Sequence, residues 1–122
     1  MDLSKRPIVK IILTYMGQLP YKKIPRSILI TALLDSGADV TVIAERDWPP
    51  AWPVLALTNS ISGVGGTVSA GESAEQVEIA LVNRDDSIDK PVLIEPMIGS
   101  VPGTILGRDF LDALGVRMTN LW

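Results

Sequence analysis

Leu33-Leu34-Asp35-Ser36-Gly37-Ala38-Asp39-Val40-Thr41-Val42-Ile43 is the stretch on which the reading of this chain turns. An apolar run, rich in Leu and β-branched residues, is broken at its centre by a carboxylate, a hydroxyl and a glycine. Continuous Val/Ile/Leu runs read as buried strands, and charges are almost never placed inside without a partner. Burial disfavours the ionised form of Asp35 unless a neighbouring charge or hydrogen bonds hold it. Ser36 offers a hydroxyl donor beside it, and Gly37 lets the backbone turn or be approached closely. An isolated Asp-Ser-Gly is ordinarily a turn, since all three residues favour turns. The Ala-Leu-Leu before it, the Val-Thr-Val-Ile after it and the second acid at Asp39 are not the setting of a surface turn.

The remaining composition narrows the chemistry. A length of 122 residues fits one domain over residues 1–122 with a real core. Hydrophobic residues make up 47% and aromatic ones only 5%, so the core is aliphatic and β-branched, which favours β structure. The formal net charge is -3 and no basic run stands out, which argues against nucleic acid as a partner. With no cysteine and no histidine, disulfides, Cys or His zinc sites, Cys nucleophiles and Ser-His-Asp triads are excluded. Acid–base chemistry then falls to carboxylates, with Lys and Tyr as weaker candidates. No apolar run reaches the roughly 20 residues of a membrane span, and no signal peptide opens the chain.

Periodicity predicts strands over 8–13, 27–34, 40–43, 77–82 and 91–98, with polar or proline-bearing turns between them. Residues 47–53, Asp-Trp-Pro-Pro-Ala-Trp-Pro, cannot be regular structure, and the two tryptophans are expected to lie on the core as a surface clamp. Residues 61–68, Ile-Ser-Gly-Val-Gly-Gly-Thr-Val, fail as a phosphate loop because no Gly-Lys-Ser/Thr follows and no helix begins. A hairpin with glycines at its tip fits them better, either a plain one or a lid. The one helix signal is 107–115, where Phe110, Leu111 and Leu114 share a face, acids come early and Gly115 can end it. Residues 116–122 read as extended. A short echo links Leu33-Leu34-Asp35-Ser36-Gly37 with Ile105-Leu106-Gly107-Arg108-Asp109, each a strand end breaking at glycine and acid.

A single Asp in an apolar loop does little to water. Two carboxylates roughly 3 Å apart cannot both ionise easily, so they share a proton. One is then a base for a bound water, the other an acid toward a carbonyl, and the two titrate as a unit. The chain has one loop of this kind. Asp47 is in the proline segment, Asp85, Asp86 and Asp89 are in a polar turn, and Asp109 and Asp112 are in the helix. If Asp35 is catalytic, its counterpart is Asp35 of a second copy, brought opposite by a twofold axis.

Leu-Leu-Asp-Ser-Gly-Ala-Asp-Val-Thr resembles the active-site loop of the retroviral aspartic proteases, the retropepsins. Ile105-Leu106-Gly107-Arg108-Asp109 is similar to the family's Gly-Arg-Asp/Asn motif, and 61–68 falls where the family has its flap. Asp47-Trp48-Pro49, Asn83-Arg84-Asp85 and Met118-Thr119-Asn120-Leu121 look most like the avian sarcoma/leukosis group. The chain departs from that group at 71–75, which are acidic and small where the group is more basic, at Pro102 in place of an arginine, and at the added Trp122.

The resemblance implies an all-β fold, a closed, mostly antiparallel β barrel with one short C-terminal helix, working as a homodimer. It implies an aspartic endopeptidase that cleaves viral polyproteins at apolar sites with an activated water and no metal or cofactor. Its setting would be the virion or immature particle, within a precursor polyprotein, with an acidic optimum and no membrane or nucleic-acid partner. Asp35 would be the catalytic acid, Ser36 would brace the two loops across the dimer axis, and Gly37 would make room for substrate backbone. Ala38, Asp39, Val40, Val42, Gly63, Val64, Gly65, Val101, Pro102 and Ile105 would contact substrate. Asp39 and Arg108 would form a partly buried ion pair reached by Arg6 of the other subunit, and Thr119, Asn120 and Leu121 would interleave in an intersubunit sheet. Two rivals stand beside this reading. One is a non-catalytic dimerisation or peptide-binding domain of the same fold. The other is a small β-barrel binding module in which Asp-Ser-Gly is only a turn.

Overall fold

Alternation decides the first two strands. In β1 (Ile8–Tyr15) Ile11, Leu13 and Tyr15 point inward while Ile8 and Lys10 face out, the period-two pattern of a strand with one covered face. β2 (Ser27–Leu34) runs antiparallel beside it, with Ile8 opposite Leu33 and Thr14 opposite Ser27. The computed structural model describes residues 7–63 and 66–115, and over 56–70 the backbone alone.

The chain continues through β3 (Val42–Ala44), a single 3₁₀ turn at Glu45–Asp47, and the hairpin β4 (Val54–Gly63) and β5 (Gly66–Ser73). Then come β6 (Val77–Val82), β7 (Val92–Ile94), β8 (Met97–Gly99), β9 (Ile105–Leu106) and helix α1 (Arg108–Ala113). All the strands lie in one sheet, ordered β4-β5-β8-β3-β9-β2-β1-β6-β7. Among the described residues only β2–β9 and β3–β8 pair parallel, so the sheet is mostly antiparallel as expected.

The expected closure into a barrel is not found. β4 and β7 are the two edges, and among the described residues no ladder joins them. β7 is three residues long and takes one neighbour, β6. Helix α1 packs against β7 and β9 and buries Phe110 in the core, so a helix rather than a further strand covers this end.

Two local expectations are also corrected. Residues 91–98 form two strands, not one. At Glu95–Pro96 the chain leaves its ladder with β6 and joins β8 to β5 and β3. Pro96 has no N–H for a ladder and is buried, with its carbonyl accepting from Ser73 N–H at 3.1 Å. The tryptophans are not a surface clamp. Trp48 and Trp52 are core residues, edge-to-face at 5.1 Å, with Tyr15 against both. Their indole N–H groups are satisfied inside, Trp48 donating to the Trp52 carbonyl and Trp52 to that of Pro25, each at 3.0 Å.

The glycine-rich segment is a hairpin, with Ser60 to Gly63 facing Ser69 to Gly66. β5 is tied to β8 only from Ala70 to Glu72. Beyond Ala70 the ladder of the hairpin is its own.

Candidate active site

The site forms where β2 ends. Asp35 N–H donates to the Leu106 carbonyl at 3.0 Å, which carries the strand one residue past Leu34 before the chain turns. The turn is closed twice: Ala38 N–H donates to the Asp35 carbonyl at 3.1 Å, and Gly37 N–H to Asp35 Oδ1 at 2.9 Å. An Asp carboxylate capping the amide two residues on is the Asx device that Asp-x-Gly sequences favour. A Cβ at Gly37 would stand 3.1 Å from Asp35 Oδ1, so glycine leaves the carboxylate its room.

Burial of Asp35 is less than the apolar flanks led us to expect. Asp35 is half-buried, and Ser36 and Gly37 are exposed. The run is interrupted because this loop faces outward at the end of strand β2, while Ala32 before it and Thr41 to Ala44 after it are interior.

The loop is pinned along its length to the strand-to-helix junction at 106–109. Arg108 N–H donates to the Ala38 carbonyl at 2.8 Å and Asp109 N–H to that of Asp39 at 3.3 Å. Gly107 must be a glycine, since a Cβ there would lie 2.5 Å from the Val40 carbonyl oxygen and 2.8 Å from that of Ala38. Thr41, fully buried, donates its N–H to Asp109 Oδ2 at 3.0 Å and its hydroxyl to Asp109 Oδ1 at 2.7 Å. The same hydroxyl accepts from Gly107 N–H at 3.1 Å. The echo between 33–37 and 105–109 is therefore spatial as well as sequential: Leu33 lies opposite Ile105 and Leu34 opposite Leu106 in a parallel pair.

Asp39 and Arg108 do form an ion pair, but it is not partly buried as expected. Their side chains are 76% and 59% exposed, because both leave the loop and the helix start toward solvent. Pairs this exposed stabilise by about 0–1 kcal/mol. Val40 is exposed, whereas Val42 is buried between Ile105 and Met97. Strand β3 begins at Val42 rather than Val40, since Thr41 gives its N–H to a side chain instead of a ladder.

Val101, Pro102 and Gly103 form the turn before Ile105. Its reverse side is held by Thr104, whose carbonyl accepts from Leu33 N–H at 2.9 Å while its Oγ1 donates to Asp47 Oδ2 at 2.8 Å and accepts from Ala44 N–H at 3.0 Å. Arg46 also donates to the Pro102 carbonyl. Gly63 pairs with Gly66 at the hairpin end. Arg6, Val64, Gly65, Thr119, Asn120 and Leu121 lie outside the described residues.

Thus Asp35, Ser36, Gly37, Ala38, Asp39 and Arg108 come together, with Ile105 on the strand beside β2. Thr41, Gly107 and Asp109 belong to the same cluster; they fall within the two motifs that carry the resemblance, but the sequence reading gives none of the three a role in the site. The signal was a lone hydroxyl inside Val-Thr-Val. Among the described residues no three acidic side chains are grouped to hold a metal ion. What the cluster offers is one carboxylate at a strand end, on a rigidly braced and outward-facing turn.

Comparison with known proteins gives this arrangement a setting. The family model described as retroviral aspartyl protease matches residues 3–119. The Gag polyprotein of avian leukosis virus subgroup A is 48% identical over 122 residues, 99% of this chain. The Gag-Pol polyprotein of Rous sarcoma virus subgroup C is likewise 48% identical over 99% of the chain. The Gag-Pro polyprotein of Mason-Pfizer monkey virus is 30% identical over 74% of it. The chain spans 17% of the first of these polyproteins, 8% of the second and 9% of the third. Among solved structures, the EIAV protease in complex with the inhibitor HBY-793 shares the fold, with a TM-score of 0.63 at 22% identity, covering 97% of this chain and 96% of that one.

Proposed function

The chain belongs to the retroviral aspartyl protease family, which makes it an aspartic endopeptidase by class, and from that premise we propose that it cleaves viral polyproteins as a homodimer, one Asp35 from each copy. The observation that carries the reading is the placement of Asp35. Its carboxylate stands at the end of β2 on an outward-facing turn pinned to Leu106, Arg108 and Asp109.

Two such turns brought together across a twofold axis put the two carboxylates face to face, where they hold one proton between them. The ionised member takes a proton from a bound water as that water attacks the peptide carbonyl. The protonated member gives its proton to the carbonyl oxygen, and the tetrahedral intermediate then collapses with a proton passing to the leaving amine. Ser36, exposed at the turn, is the hydroxyl that reaches the opposite loop, and Gly37 leaves space for substrate backbone.

Substrate lies extended between this floor and the β4–β5 hairpin, with main-chain hydrogen bonds supplying affinity and aliphatic walls from Val40 and the 101–105 turn selecting apolar side chains. The hairpin suits a lid because its ladder beyond Ala70 is its own. Closing it over the peptide excludes water from the reacting bond. Release from a Gag or Gag-Pol precursor and action in the viral particle fit the relatives it matches.

The test is a peptide with large aliphatic residues flanking the scissile bond, incubated with wild type and with Asp35→Asn. We expect cleavage by wild type and none by the variant, with unchanged circular dichroism and inhibition by a pepstatin-type compound. Cleavage by folded Asp35→Asn at the wild-type rate overturns the mechanism.

A further inference from the structure

We propose that Asp109 is a positioning residue for Asp35, acting through Thr41, and that it works only as a carboxylate, although the motif it sits in also admits asparagine. The inference rests on the endopeptidase reading for its kinetic part and on hydrogen-bond geometry for the rest.

Among the described residues, each hydrogen-bond partner of the Asp109 side chain is a donor. Oδ2 receives Thr41 N–H at 3.0 Å, and Oδ1 receives Phe110 N–H at 2.7 Å. The third donor is the Thr41 hydroxyl, 2.7 Å from Oδ1. Its proton has to point there, because the Thr41 oxygen already accepts from Gly107 N–H at 3.1 Å. Thr41 spends its carbonyl as well, accepting from Met97 N–H at 3.0 Å. One fully buried threonine thus joins β8, the 106–109 junction and the far end of the catalytic loop.

An amide cannot meet that set. With its Nδ2 in the place of Oδ2 it confronts Thr41 N–H, donor to donor. With Nδ2 in the place of Oδ1 it confronts Phe110 N–H. In the first case Thr41 N–H loses its acceptor; in the second the Thr41 hydroxyl does, along with Phe110 N–H. Either way a buried donor of Thr41 is left over, and the loop must shift to satisfy it. The loop that shifts is the one whose other end carries Asp35. Displacing a catalytic group beyond its working tolerance lowers the chemical step without changing how tightly substrate is held.

The experiment compares wild type, Asp109→Asn, Thr41→Val and Thr41→Ser in the full chain. Active sites are titrated with a pepstatin-type inhibitor so that rates refer to folded, assembled enzyme. For Asp109→Asn we expect kcat about tenfold lower with KM within about twofold. Thr41→Val, which puts a methyl group in place of the hydroxyl, should fall in the same way, and Thr41→Ser, which keeps the hydroxyl, should hold kcat near the wild-type value. Amide hydrogen exchange read by NMR supplies a measure independent of activity, and Thr41 N–H should exchange faster in Asp109→Asn. Should Asp109→Asn fail to fold, the Thr41 variants decide the matter alone. An Asp109→Asn enzyme with wild-type kcat per titrated site, or a Thr41→Val equal to Thr41→Ser, overturns the proposal. A wild type that cleaves nothing overturns the endopeptidase reading instead, and the exchange result still judges the clamp.

Discussion

At the scale of single residues, the site is governed by close approach more than by charge. Gly107 is the tightest point: the backbone of Val40 and Ala38 occupies the space a side chain would need. Backbone atoms cannot swing aside as the end of a flexible side chain can. Gly107→Ala should therefore destabilise the fold by about 2 kcal/mol or more, as overpacking does in a dense interior, measured as a drop in the urea midpoint at unchanged slope. Its activity should fall further than its stability, since the strain is delivered to the loop bearing Asp35. The Asp39–Arg108 pair stands at the other extreme. Both side chains are more than half exposed, so within one copy the pair is a small contributor.

At the scale of elements, exceptions to regular structure position what matters. β2 ends at an aspartate whose own carboxylate closes the following turn. Pro96 splits one apolar run into two strands that serve opposite parts of the sheet. Helix α1 is short, and Phe110 anchors it while Gly115, at a positive φ of 83°, ends it with its N–H on the Asp112 carbonyl. The 83–87 turn after β6 is stabilised by side chains in the same manner. The Ser87 hydroxyl and then its amide donate to Asp85, holding that carboxyl below the ordinary carboxylate range. A depressed folded-state value means that the stabilisation is complete above the ordinary range and fades as pH falls below it. Ser87→Ala removes the larger of the two donors, so the Asp85 carboxyl should titrate at higher pH than in wild type, read from its carbon resonance. A titration that does not move would deny the hydroxyl its role.

At the scale of the whole molecule, the proposed reading makes this open sheet the carrier of half a reaction centre. Its order leaves β4 and β7 as edges, and the turn bearing Asp35 lies near the middle, where β2, β9 and β3 adjoin. One carboxylate of the required kind is present per copy, so on the proposed reading activity belongs to the pair. In a dilution series, total activity should pass from linear to quadratic in protein concentration once most chains are monomeric. Sedimentation or light scattering at the same concentrations should show the two transitions coinciding. Activity that stays linear through dissociation would place the whole chemistry in one copy.

The order of residues along the chain was enough for the family, the mostly antiparallel β class, the short helix with its stop signal at Gly115 and the loop at Asp35. These are local signals: period-two alternation, turn residues and a helix stop act within a few positions of one another. Only the tertiary structure decided that the sheet stays open, that the tryptophans are inside, that Asp39 and Arg108 meet in solvent, and that Thr41 and Asp109 are bonded to each other. Each of those depends on which segments far apart in sequence pack together, as when residues 41 and 109 meet across an interval of 68 positions. A hydrogen bond made across such a distance leaves no period or spacing in the sequence from which it could be read.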